Sequence, residues 1–273
     1  MIMTATQLRP AFPGRFRVTV AKVTTPGDLP RTPLSRLLEE ISWEGRSVVK
    51  YRDGGRGKEN VLTAEVLTAL DYLPRGSYLG NVLRHAHGAP GAVARAAEEA
   101  EDASVVFLPD EYVLSRTARG KADLVVQPDA TITGLSSLVL VEAKAIRAGT
   151  FGPEQLAREY FAVTAAAGER MPLLLLILGA APPVAIRGRS GRFGIAEAVA
   201  TNLEAVYAKA ARHPWPLAEL QARVTESCAW LTWAEVADLV TAEHERGRHS
   251  GTFAAGTVDR LVATITRAVH WHG

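Results

Sequence analysis

The sequence predicts an α/β fold in which helices precede a run of short strands and a helical region closes the chain. Three observations carry that expectation. Apolar residues recur at a period of 3.6 over 59–73, short β-branched segments fill 104–144, and Leu173–Leu178 is an unbroken apolar run, LLLLIL. The first is the pattern of an amphipathic helix and the second that of strands; the third suits a strand covered on both faces.

Taken in order, residues 1–33 are Pro-rich with one candidate strand, RFRVTV. Thr32-Pro33 then reads as a helix start, Thr as cap and Pro at the first helical position, leading into LSRLLEEI. A Gly-rich run, DGGRGKEN, introduces the helix over 59–73, where Leu62, Val66, Ala69, Leu70 and Leu73 share one face. At 100° per residue Glu59 falls between Val66 and Leu70, on the core side, an unusual place for a carboxylate. A further helix covers 90–100, after which SVVFL, EYVLSRT, ADLVVQ and SLVLVEAK read as strands. Phe151-Gly-Pro-Glu-Gln-Leu opens another helix with Pro153 near its first position. Beyond 194 the pattern is helical again, and Thr232-Trp-Ala-Glu235 makes a capping box.

Composition sets the class. Of 273 residues 47% are hydrophobic and 22% charged, as in an ordinary globular protein, and the single cysteine, Cys228, excludes a disulfide framework. Met171–Ala181, the most apolar stretch, falls short of the roughly 20 residues that span a bilayer, so no membrane role and a cytoplasmic location are expected. The formal net charge is only +2, but the basic residues are clustered. Arg46, Lys50, Arg52, Arg56 and Lys58 lie in one run, and Arg187, Arg189 and Arg192 in another. Such clusters are candidate phosphate contacts.

The chemistry sits in KADLVVQPDATITGLSSLVLVEAK, Lys121–Lys144. Read as two strands joined by a turn around Ala130–Leu135, symmetric about 132/133, it places Asp123 opposite Glu142. The period of 2 puts Glu142 and Lys144 on the same face. Two hard oxygen ligands beside an ammonium suit a Mg²⁺ ion and the phosphate it engages. Asp129, in the Pro128-Asp129 dipeptide, competes for the role of first acid. In the symmetric hairpin it lies six residues from Asp123, roughly 20 Å at 3.3 Å per residue, near the turn and out of reach of Glu142.

Here the chain resembles the PD-(D/E)XK nuclease superfamily, whose signature is an acid on one strand and a D/E-x-K tripeptide ending the next. Asp123 and Glu142-Ala143-Lys144 supply that match. About 0.6 acidic-x-Lys tripeptides are expected by chance in this composition, so the tripeptide weighs only through its setting. The resemblance covers roughly 59–180. It implies a restriction-endonuclease-like αβββαβ core, a mixed sheet flanked by helices, with Glu59 on the helix before the sheet and Gln155 on the helix after the motif as further site residues. One departure stands out: the RecB-like subgroup often carries Tyr four residues after the Gln, whereas Tyr160 is five after Gln155.

The expected organisation is an N-terminal extension over 1–58 with its basic loop, a nuclease-like core over 59–194, and a helical C-terminal subdomain over 195–273. The expected function is Mg²⁺-dependent hydrolysis of DNA, with Mn²⁺ able to substitute and RNA left open, in restriction, phage defence or repair. Asp123, Glu142, the carbonyl of Ala143 and Glu59 would hold the metal, Lys144 would activate water, and Gln155 would position it. Arg46, Lys50, Arg52, Arg56, Lys58, Arg187, Arg189 and Arg192 would grip the backbone. A homodimer or a subunit of a larger defence assembly are the expected states. The alternative is a noncatalytic nucleic-acid-binding or scaffolding subunit that keeps the fold.

Overall fold

The computed structural model describes residues 57–273 apart from 119, 121, 147–149, 251–254 and 273; of residues 57–60, 249, 250 and 255 it describes the backbone alone. The expected strand RFRVTV, the helix from Thr32 and the basic residues Arg46, Lys50, Arg52 and Arg56 lie outside the described residues.

Three helices come first: α1 (Gly57–Tyr72), α2 (Leu79–Arg84) and α3 (Pro90–Glu98). The stripe expected for α1 is buried, Leu62, Val66, Ala69, Leu70 and the following Leu73 all being 3% exposed or less. Strands β1 (Ser104–Phe107), β2 (Tyr112–Arg116), β3 (Ala122–Val126), β4 (Ala130–Thr133) and β5 (Ser137–Ala143) follow, then the short β6 (Thr150–Phe151). Helix α4 (Gln155–Ala167) leads to β7 (Met171–Leu178), and β8 (Val184–Ile186) and β9 (Arg192–Phe193) form a hairpin. The chain closes with α5 (Ile195–Lys209), α6 (Leu217–Ser227), β10 (Cys228–Thr232), α7 (Trp233–Ser250) and α8 (Ala255–His272).

These elements build an α/β fold around a mixed five-stranded sheet in the order β1-β4-β5-β7-β10. β1, β4 and β5 run as an antiparallel meander, while β7 lies parallel to both β5 and β10. Side-chain alternation divides the core into two layers. Val139, Val141 and Ala143 of β5, with Leu173, Leu175 and Ile177 of β7, pack with α1, α2, α3, α7 and α8. Leu138 and Leu140, with Leu174, Leu176 and Leu178, pack with α4, α5 and α6. The apolar run of β7 is therefore buried on both faces, as its composition predicts.

Two features differ from expectation. The C-terminal region is helical except for β10, which completes the sheet beside β7. The Thr232 capping box forms at its junction with α7: Glu235 Oε2 accepts the Thr232 N–H at 2.7 Å, and Thr232 Oγ1 accepts the Glu235 N–H at 3.2 Å. The second difference is the hairpin register. Ala130 pairs with Val141 and Thr133 with Leu138, so the midpoint lies between 135 and 136, three residues later than the symmetric reading. Its physical reason is Pro128, which has no N–H to continue a ladder. The chain breaks there, β4 begins at Ala130, and β3 pairs with β2 in a separate two-stranded sheet.

Candidate functional site

The register corrects the expected pairing of Asp123 with Glu142. Asp123 is an exposed residue of the β2–β3 sheet and does not line the cavity described below. The acid that lines one cavity with Glu142 is Asp129. One step beyond the Ala130–Val141 pair, its N–H donates to Val141 O at 3.0 Å, and its Oδ2 accepts the Ala143 N–H at 2.6 Å. Asp129 is only 8% exposed, so this charge-assisted bond satisfies a backbone donor that water could not reach.

Glu142 shares the parity of Leu138 and Leu140 and so projects into the α4 layer. Its Oε1 meets Lys144 Nζ at 2.5 Å and accepts from Gln155 Nε2 at 2.6 Å. Gln155 is itself oriented by the Gly152 N–H, which donates to its Oε1 at 3.2 Å; that bond turns the amide NH₂ toward Glu142. Lys144 is held by its backbone on both sides. Its N–H donates to Ile177 O at 2.8 Å and its carbonyl accepts Trp233 Nε1–H at 2.7 Å. Its Nζ lies 5.4 Å from the centre of the Phe151 ring, within reach of a cation–π attraction.

One helical turn after Gln155 stands Glu159, on the same face of α4. It is 4% exposed, and its Oε2 has no hydrogen-bond partner. Burial pushes its carboxyl well above the ordinary carboxylate range, and the charge of Glu142 pushes in the same direction. A cavity of about 230 Å³ opens beside these groups, with Asp129, Glu142, Gln155, Arg158 and Glu159 in its lining and Val125, Val126 and Gln127 at the end of β3 along its border. Asp129 was discounted by the symmetric hairpin, although the Pro128-Asp129 dipeptide announced it. Glu159 occupies the position four residues after Gln155, where the RecB-like subgroup often carries a tyrosine, and no local spacing marks a carboxylate there.

The other expected site residues fall into two groups. Lys58 and Glu59 lie in α1, where only the backbone is described, so their side-chain roles lie outside the described residues; the described part of α1 packs in the layer opposite Glu142. Ala143 points its side chain into that opposite core and gives its N–H to Asp129. Arg187, Arg189 and Arg192 are exposed around the β8–β9 hairpin. Arg189 Nη2 donates to Asn202 Oδ1 at 3.4 Å and Arg192 Nε to Pro183 O at 2.7 Å. The Arg187 N–H donates to Phe151 O, tying this basic loop to the residue beneath Lys144. Burial pushes the Cys228 thiol up, consistent with an inert structural role.

Among the described residues no group of three or more His, Cys, Asp or Glu side chains gathers closely enough to hold a metal by itself. Mg²⁺, however, characteristically uses one or two carboxylates and completes its octahedron with water and substrate phosphate. Asp129 and Glu142 at a polar cavity, with the unpartnered Glu159 oxygen beside them, fit that mode. Also among the described residues, no helix is long and apolar enough to cross a membrane. Comparison with known proteins found no matching family model, no matching curated protein and no matching solved structure.

Proposed function

We propose that the chain is a Mg²⁺-dependent nuclease that hydrolyses phosphodiester bonds in DNA, with a restriction-endonuclease-like core. The observation that carries this reading is the convergence of Asp129 and Glu142 at one cavity, with Lys144 and Gln155 both engaging the Glu142 carboxylate. The succession of α3, β1, β4, β5, α4 and β7 follows the αβββαβ order when the β2–β3 excursion is set aside, and supports the same reading.

Asp129 and Glu142 would hold the ion, which would neutralise charge on the phosphate and make a water molecule more acidic. Asp129 is kept in place by the Ala143 N–H. Lys144, held against Glu142 at 2.5 Å, would orient that water and stabilise the charge that builds on the phosphate oxygens. Gln155 fixes the Glu142 carboxylate by donating to the oxygen Lys144 also meets. The water oxygen bonds to phosphorus, the bond to the 3′ oxygen breaks and a proton passes to that oxygen, leaving 5′-phosphate and 3′-hydroxyl ends.

The test is cleavage of single- and double-stranded DNA by the purified protein with Mg²⁺ or Mn²⁺. The wild type should cleave, and K144A should lose roughly 10²–10³-fold in rate, the scale of removing one preorganised donor. Full activity in K144A contradicts the mechanism. A second reading, a noncatalytic nucleic-acid-binding or scaffolding subunit, is favoured by one observation: Glu142 Oε1 is already engaged by Lys144 and Gln155. A wild-type protein that binds DNA but neither Mn²⁺ nor Mg²⁺ would select it.

A further inference from the structure

We propose that Arg158 is the phosphate anchor of this cavity, its guanidinium taking the nonbridging oxygens of a substrate phosphate beside Asp129 and Glu142. The inference rests on the nuclease reading and adds to it the group that grips the substrate. Arg158 lines the cavity together with Asp129, Glu142 and Glu159. Its Nε is buried and has no hydrogen-bond partner. Among the described residues its guanidinium enters no ion pair, although three carboxylates line the same space.

A buried donor of a charged group left without a partner is costly, and proteins retain such groups where a ligand supplies the partner. A guanidinium presents a planar fork of donors that matches phosphate oxygens bidentately. The helix fixes the backbone from which this side chain reaches the cavity. Leu156, Ala157, Tyr160 and Phe161 on α4 are buried in the core, which sets the rotation of the helix and hence the place of Arg158. The same constraint keeps Arg158 three residues from Gln155, on the neighbouring turn.

Formal charge agrees with an anionic ligand. Asp129 and Glu142 contribute two negative charges and Lys144 and Arg158 two positive ones, Glu159 holding its proton. The sum is zero, which a divalent cation turns to +2, a field that attracts a phosphodiester. Lys144 is paired with Glu142 at 2.5 Å, whereas Arg158 is the cation that lines the cavity.

The experiment compares wild type with R158Q and R158K. Binding of a fluorescein-labelled DNA oligonucleotide is measured by anisotropy in Ca²⁺ across a salt series, Mn²⁺ binding by calorimetry, and cleavage as KM and kcat. R158Q should bind DNA at least tenfold more weakly and lower the slope of log affinity against log salt by about 1, with Mn²⁺ affinity unchanged. R158K, which keeps the charge and loses the fork, should fall between, and it supplies the reading if R158Q loses its cooperative melting transition. Affinity within twofold of wild type in both variants, with an unchanged salt slope, overturns the inference even if the wild type cleaves. A wild type that neither cleaves nor takes up Mn²⁺ overturns the nuclease reading instead, while weakened DNA binding in R158Q would still support the anchor.

Discussion

Asp129 Oδ2 accepts the backbone N–H of Ala143 at 2.6 Å, which fastens the acid that precedes β4 to the strand that delivers Glu142 and Lys144. One side chain thereby does two jobs: it satisfies a buried backbone donor and brings a second carboxylate to the cavity.

The two jobs separate by substitution. D129N keeps a side-chain oxygen for the Ala143 N–H but loses the charge, so cleavage should fall at least 10²-fold with little change in stability. D129A leaves the donor unsatisfied and should also cost about 1–3 kcal/mol in denaturant unfolding. D123N, on the exposed face of the β2–β3 sheet, should leave both rate and stability near wild type. Equal loss in D123N and D129N would contradict the assignment.

Gln155 acts through Glu142. Q155A removes one of the two groups that meet Glu142 Oε1, and a hydrogen bond to a charged group contributes about 1.5–3 kcal/mol. The expected result is a fall of roughly 10–100-fold in kcat, since about 1.4 kcal/mol is tenfold in rate, with KM little changed. Q155E should be worse than Q155A, because it sets a further negative charge between Glu142 and Glu159.

Glu159 gives the metal-free protein a pH signature. Its carboxyl is raised, by burial and then by the charge of Glu142. The folded state therefore holds a proton there that the unfolded chain has released. Stability is at its fullest below the ordinary carboxylate range and is lost as pH rises from that range through the raised value. E159Q removes the titration, so its melting temperature in EDTA should vary less over that window than that of wild type and exceed it at the alkaline end. An unchanged pH profile in E159Q contradicts the assignment.

Much of this site was legible in the sequence and two steps were not. The period of 2 placed Glu142 and Lys144 on one face, and the β-branched segments marked β1, β2, β3 and β5. The 3.6 period found the buried face of α1, and the Thr232–Glu235 box marked the start of α7. The register of β4 on β5 escaped because a distant residue decides it. Glu99, just past α3, accepts the Ser136 N–H at 3.0 Å and the Ser137 hydroxyl at 2.6 Å, bracing the turn. A Cβ at Gly134 would run into the Glu99 carboxylate and the Ser137 hydroxyl, so a larger residue there would displace this brace. Burial works against the charge of Glu99, but the bonds from Ser136 and Ser137 outweigh it and hold its carboxyl below the usual value. No local spacing rule sees a contact 37 residues away. Pro128, as a strand breaker, marks only where β3 ends and β4 can begin, and the brace on the turn then sets the pairing. Glu159 escaped for a different reason: period 3.6 assigns it a face of α4, and only the fold shows that Glu142 lies on that side of the sheet.

The most direct test of the central claim is Mn²⁺ titration calorimetry on the wild type, D129A, E142A and D123A. The account predicts one binding event in wild type and D123A that is lost in D129A and in E142A. Loss in D123A with retention in D129A would contradict it, as would the absence of any Mn²⁺ binding in the wild type.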